Sequence, residues 1–218
     1  MLAITGQPSL YAIVGGPGAG KSEIIGEVKK ISEETHGYAM NFFCVDEAAK
    51  DLIKQEQERG NSNPFAIPGF ERRIYDEKIE RENQATQRIQ KAPQHQVALV
   101  DRGLLDNIVY IKRFGGEGSE IDQYVKGKAE ELGVYQGRYR AIFLVEPWNG
   151  TFKNDSFSYR AESPKACTEI HEELKTVYQS AVGPKTPMIT VEGRVGLSAQ
   201  QRAISILKKI KEIEYPNP

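Results

Sequence analysis

Cysteine is scarce in this 218-residue chain: Cys44 and Cys167 form no C-x-x-C pair and have no histidines gathered around them. That excludes a disulfide-stapled or zinc-stapled scaffold and fits reduced thiols in a cytoplasmic protein. An excess of charge of one sign is missing too. Lys and Arg number 29 against 30 Asp and Glu, a formal net charge of −1, so neither nucleic acid nor a membrane surface is expected as partner. No apolar run reaches membrane-spanning length. The N-terminus has no basic region leading into an apolar stretch, so it does not read as a secretory signal. His36, His95 and His171 are dispersed, none at metal-ligand spacing, and are read as solvated or structural. Internal repeats and low-complexity tracts are absent. What is present is an ordinary globular composition, 39% hydrophobic and 27% charged, long enough for one α/β domain with a sizeable core.

Against that background one segment stands out. The apolar run Leu10–Val14 leads straight into Gly15-Gly16-Pro17-Gly18-Ala19-Gly20-Lys21-Ser22, and a helical pattern follows. This is G-x-x-x-x-G-K-[ST] in the strand–loop–helix context that gives the motif its meaning. Glycines let the backbone turn tightly, successive N–H groups form an anion nest, and the helix presents its positive end to the same anion. Lys21 adds a cation for the β and γ oxygens, and the Ser22 hydroxyl can ligate Mg²⁺. The expected ligand is ATP or GTP with Mg²⁺.

Short apolar runs alternate with helical patterns, which predicts a doubly wound parallel five-stranded sheet: a P-loop NTPase of nucleoside/nucleotide-kinase-like layout. The strands are read at Leu10–Val14, Ala39–Val45, Gln96–Val100, Ala141–Val145 and Met188–Val191. Helices are read from Lys21, from about Asp46, from Glu71 to about Lys91, over Leu104–Arg113, over about Ile121–Leu132, from Pro164 to about Ser180, and after Ser198. Ser163-Pro164 reads as an N-cap followed by proline at the first helical position, and Ser198-x-x-Gln201 as a capping box. The charged run Glu71–Glu82, which includes Lys78, reads as a solvated helix face, with Arg72 and Arg73 as possible readers of an anionic acceptor. The whole chain, residues 1–218, reads as a single domain with a mobile lid-like segment over 151–163.

In such folds ligand lies outside the carboxyl ends of the strands, so the residues just past each strand carry the chemistry. Asp101 follows Val97-Ala98-Leu99-Val100, and four apolar residues then Asp is the second P-loop signature, a carboxylate that can hold Mg²⁺ opposite Ser22. Arg102 can reach a phosphoryl group with its planar fork, or else pair with an acid at the cleft edge. Asp106 can orient Arg102 or simply serve the first turn of its helix. Asp46 and Glu47 follow strand two, where a carboxylate can take the acceptor's proton during phosphoryl transfer; the alternative is a pair of acids capping a helix. Arg160, in the polar stretch Thr151–Ser163, can close over the phosphates. Trp148, after Pro147, can stack on a ring but more simply packs.

With these residues assembled, the chain resembles the small P-loop ATPase/kinase-like family of nicotinamide-riboside-kinase-type AAA domain proteins. The resemblance rests on Gly15–Ser22, on Asp46-Glu47-Ala48-Ala49, on Asp101-Arg102-Gly103-Leu104-Leu105-Asp106, on Arg160-Ala161-Glu162 and on Leu174-x-x-x-Tyr178. Such domains tend to carry Glu-Ala-Ala-Arg, and here Lys50 takes the arginine's place. They often have Asp three residues before the lid arginine; here that place is Phe157. The resemblance implies ATP or GTP binding. Three functions stay open: a kinase acting on a small-molecule acceptor, a nucleotide-hydrolysing regulator of a protein partner, and a nucleotide-binding protein with little turnover. Neither N-K-x-D nor D-x-x-G occurs, which tells against a Ras-like switch.

Overall fold

The structure, a computed structural model, describes residues 8–34, 41–148, 163–183 and 186–216. Among them, five parallel strands form one sheet: β1 (Leu10–Val14), β2 (Asn41–Val45), β3 (Gln96–Asp101), β4 (Ala141–Val145) and β5 (Met188–Val191), in the order β2-β3-β1-β4-β5. Every residue of β1 and β4 is buried, as strands covered on both faces require, so their sequences are continuously apolar rather than alternating. The pleat divides them. Leu10, Ala12 and Val14 enter one core, and Tyr11 and Ile13 enter the other.

The second of these cores is closed by α1 (Lys21–Glu34) and α7 (Ala199–Glu214) through Ile24, Ile25, Val28, Ala203, Ile206 and Ile210. The opposite face is covered by α3 (Phe70–Lys91), α4 (Asp106–Ile111), α5 (Glu120–Glu131) and α6 (Pro164–Ala181). A small satellite core joins α2 (Ala48–Glu58) to α3 through Leu52, Ile53, Phe70 and Ile74. Both expected caps are present. Ser163 Oγ accepts from Ala166 N at 3.2 Å, and Ser198 and Gln201 cap each other reciprocally at 3.1 and 2.8 Å; each cap stabilises its helix by about 1 kcal/mol. No helix among the described residues is long and apolar enough to cross a membrane.

Two boundaries and one surface differ from the sequence reading, and the expected start of β2 is outside the described residues. β2 is described from Asn41, residues 39–40 being outside the described set. α2 starts at Ala48, because Glu47 keeps an extended backbone as its N-cap residue. α4 starts at Asp106, after a turn closed by Asp106 N to Gly103 O, and runs into a π-helical turn over Lys112–Gly116. The face of α3 is not wholly solvated: Lys78 and Glu82 are buried. They lie on one stripe with Tyr75 and Ala85, and Glu82 takes hydrogen bonds from Arg138 Nε at 2.7 Å and Tyr139 Oη at 2.8 Å. A charged residue flanked by charged residues carries no local sign of such partners.

The strand order puts β1 between β3 and β4. The chain leaves β1 toward one edge and β3 toward the other, so the loops after β1 and β3 diverge and leave a crevice at the switch point. The register pairs Ile13 with Asp101, which brings the glycine-rich loop and the Asp101 turn side by side.

Candidate functional site

The loop after β1 delivers Lys21 and Ser22 into the first turn of α1. Gly20 sits at φ +89°, and a Cβ there would lie 2.7 Å from Trp148 Nε1, so no other residue fits this turn unstrained. The loop is braced from below and beside. Arg202, fully buried in α7, donates to Ala19 O at 3.3 Å, Glu146 O at 2.5 Å and Val191 O at 3.2 Å, and its guanidinium lies 4.8 Å from the centre of the Trp148 ring. It therefore ties the loop to the ends of β4 and β5. On the other side, Gly16 N donates to His171 Nδ1 of α6 at 3.3 Å, which makes His171 a structural histidine.

Lys21 is folded into its own loop, donating to Gly15 O at 2.7 Å and Gly16 O at 2.8 Å. Burial lowers its pKa to about 8, with Arg102 pushing the same way and Asp101, Glu47 and Asp106 opposing. Its hydrogen-bond acceptors are two neutral carbonyls, weaker partners for an ammonium than a phosphate would be.

The turn after β3 supplies the facing wall. Asp101 is buried, and its Oδ1 has no hydrogen-bond partner. Burial first, and then the neighbouring Glu47 charge, raise its pKa. Arg102 adopts φ +66°, a left-handed conformation unusual for a residue with a side chain. That turn sends its guanidinium back across the crevice to Glu47 Oε1 at 2.7 Å, Tyr110 Oη at 2.9 Å and Asp106 Oδ2 at 3.6 Å. Asp106 in turn accepts from Tyr178 Oη at 2.7 Å. Beneath the turn, buried Lys78 donates to Gly103 O at 2.8 Å and Asn107 Oδ1 at 2.7 Å.

From β2 comes Glu47. Burial pushes its carboxyl upward, but Arg102, Lys50 and Lys21 outweigh that and hold it well below the usual carboxylate range. It is ionised at neutral pH. Lys50, in the first turn of α2, bonds Ser22 Oγ at 2.8 Å and Glu47 Oε2 at 3.2 Å.

Of the residues singled out in the sequence, the structure gathers Lys21, Ser22, Glu47, Asp101, Arg102 and Asp106 around one crevice. Asp46 lies apart from that group, exposed and paired with Lys29 Nζ at 2.7 Å on the α1 side. Arg160 and residues 151–162 of the lid-like stretch lie outside the described residues. Arg72 stacks over Tyr124 at 4.2 Å and Arg73 pairs with Glu56 at 3.0 Å. Lys78, Tyr110 and Arg202 were not legible as site residues. Lys78 comes from α3 and Arg202 from α7, far away in sequence, Tyr110 comes from the helix after the Arg102 turn, and no motif marks any of them.

A divalent cation fits this wall. Among the described residues no three His, Cys, Asp or Glu side chains gather into a cluster able to hold a metal. Mg²⁺, however, is commonly held by one or two carboxylates plus the phosphates it accompanies. The orphaned Asp101 Oδ1 and the Ser22 hydroxyl are the oxygens that would hold it.

A family model described as an AAA domain matches residues 10–194. Among solved structures, the chain is similar to deoxyadenosine kinase from M. mycoides with products dCMP and a flexible dCDP bound, at 13% identity and a TM-score of 0.55, over 93% of this chain and 99% of that one. The same kinase with bound dATP aligns at 14% identity and a TM-score of 0.50, again over 93% and 99%. At such identity the likeness is one of fold: a small P-loop kinase-like sheet with its helices. No curated protein matches the sequence.

Proposed function

Because the chain belongs to the AAA domain family, whose model spans residues 10–194, we propose that it works as a single P-loop domain. It binds ATP or GTP with Mg²⁺ and transfers the γ-phosphoryl group to a small-molecule acceptor. The observation that carries this reading is the ionised Glu47 held against Arg102, across the crevice from Lys21. A carboxylate and a guanidinium paired in this way suit an acceptor hydroxyl and the moving phosphoryl group. The similarity in fold to deoxyadenosine kinase supports the same direction.

Each residue then has a task. The loop amides and the positive end of α1 hold the polyphosphate. Lys21 leaves the carbonyls of Gly15 and Gly16 for the phosphate oxygens, exchanging neutral acceptors for charged ones. Ser22 and Asp101 would hold the Mg²⁺, which when bound would supply neutralisation of the phosphate charge. Glu47 accepts the hydrogen bond of the acceptor hydroxyl and takes its proton as the new P–O bond forms. Arg102, freed from one of its carboxylate partners, stabilises the phosphoryl group in flight. Asp106, Tyr110 and Tyr178 fix the direction of that guanidinium. Arg160, from the lid-like segment, supplies a further positive charge on closure.

The test is Glu47→Gln, assayed against a panel of nucleosides, nucleotides and sugars. An acceptor in the panel raises ATP consumption by the native protein, and the variant loses about 10²–10⁴-fold in transfer while its ATP affinity holds. Loss of ATP binding in the variant would assign Glu47 to structure or metal instead. ATP consumption that stays flat across the panel would favour the nucleotide-hydrolysing regulator.

A further inference from the structure

Lys50 is badly placed for a helix residue. It sits in the first turn of α2, where the positive end of the helix disfavours a cation. Its side chain is 41% exposed and has a route to water, yet the ammonium turns inward. There it donates to the Ser22 hydroxyl at 2.8 Å and lies 3.2 Å from Glu47 Oε2. Asp101 Oδ1, close by, has no hydrogen-bond donor of its own.

These are the oxygens that a hard divalent cation would use. A hydroxyl that accepts from an ammonium offers the same lone pair that would ligate a metal, and the two carboxylates supply the counter-charge. We propose that Lys50 is a built-in counter-cation: with no nucleotide bound, its ammonium holds the metal position, and the divalent ion arriving with the nucleotide must expel it. This rests on the metal–nucleotide reading of the crevice and adds an order of events to it. The empty protein resists metal, because an incoming ion meets a resident positive charge on its own ligands. The nucleotide brings enough negative charge to make the exchange favourable. A lysine suits the role because it is a compact charge on a flexible four-carbon stem, and it can leave along its exposed side without unpacking the core.

The probe is Mn²⁺, followed by the electron paramagnetic resonance signal of the free ion, with full-length protein and no nucleotide. Lys50→Met should bind Mn²⁺ at least about 10-fold more tightly than the native chain, since a unit positive charge at hydrogen-bond distance from the ligands has gone. Lys50→Gln should behave likewise and serves if the methionine variant melts early. Lys50→Arg keeps the charge and should stay near the native value. Adding Asp101→Asn to either neutral variant should abolish the gain, which places the ion at this wall. If the neutral variants bind Mn²⁺ no more tightly than the native chain, while a non-hydrolysable ATP analogue still recruits Mn²⁺ in an Asp101-dependent way, the Lys50 proposal falls and the metal–nucleotide reading stands. If no variant retains Mn²⁺ with or without the analogue, both fall.

Discussion

Replacing Gly103 by alanine tests whether the Asp101–Asp106 turn is held as tightly as its contacts indicate. A Cβ on Gly103 would lie 2.3 Å from Tyr178 Oη and 3.3 Å from both Tyr178 Cζ and Ala12 Cβ. Tyr178 is fully buried, so its ring cannot swing into water. Overpacking of this kind costs about 1–3 kcal/mol. Driving the hydroxyl off Asp106 forfeits a hydrogen bond to a carboxylate, about 1.5–3 kcal/mol more. Gly103→Ala is therefore expected to lose about 3–5 kcal/mol of stability. Tyr178→Phe alone loses only the hydrogen bond, about 1.5–3 kcal/mol. In the double variant the hydroxyl is no longer there to collide and its hydrogen bond is lost only once, so the sum of the two losses overstates the damage by about 3 kcal/mol. Urea unfolding of the four proteins measures the cycle. Additivity to within about 0.5 kcal/mol would refute the claim that Gly103 is required because Tyr178 occupies its side-chain space.

Three further outcomes are expected. The lowered Lys21 pKa, about 8, has a signed consequence. At pH 9 the empty site holds Lys21 mostly neutral, and polyphosphate binding restores about 0.9 proton; below pH 7 the uptake falls toward zero. Calorimetry in buffers of different ionisation enthalpy reads this, and an absence of uptake at pH 9 would contradict it. The same depressed pKa makes Lys21's contribution to folding stability rise with pH between about 8 and 10.5, since the unfolded chain binds the extra proton there. Glu82→Ala strands half-buried Arg138 and buried Tyr139 and should cost about 3–5 kcal/mol. Glu80→Ala, on the exposed side of α3, should stay within about 0.5 kcal/mol; equal losses in thermal or urea unfolding would return α3 to a uniformly solvated face.

The sheet was legible because buried parallel strands announce themselves as apolar runs, and each run ends where a polar or glycine residue must meet the crevice. Leu10–Val14 into Gly15, and Val97–Val100 into Asp101, are local statements about a strand and its end. Helix caps at Ser163 and Ser198 are equally local. The supports of the site are not. Lys78 lies 25 residues before the carbonyl it holds, and Arg202 is 183 residues from Ala19. Neither has a neighbour in sequence that marks its role. Glu82 reads as one acid among many, because its partners Arg138 and Tyr139 arrive more than fifty residues later. Lys50 was visible only as a departure from the family's arginine. Its contact with Ser22 depends on how α2 meets α1, which no local pattern encodes.

The account's central claim is that the loop amides and the Lys21 ammonium grip a polyphosphate. Titration calorimetry of the folded protein with Mg²⁺-ATP and Mg²⁺-GTP, beside Lys21→Ala, tests it most directly. Saturable binding by the native chain, weakened by about 10- to 100-fold in the variant, is the expected result. No heat with either triphosphate, or a Lys21→Ala variant that binds as tightly as the native chain, would contradict it.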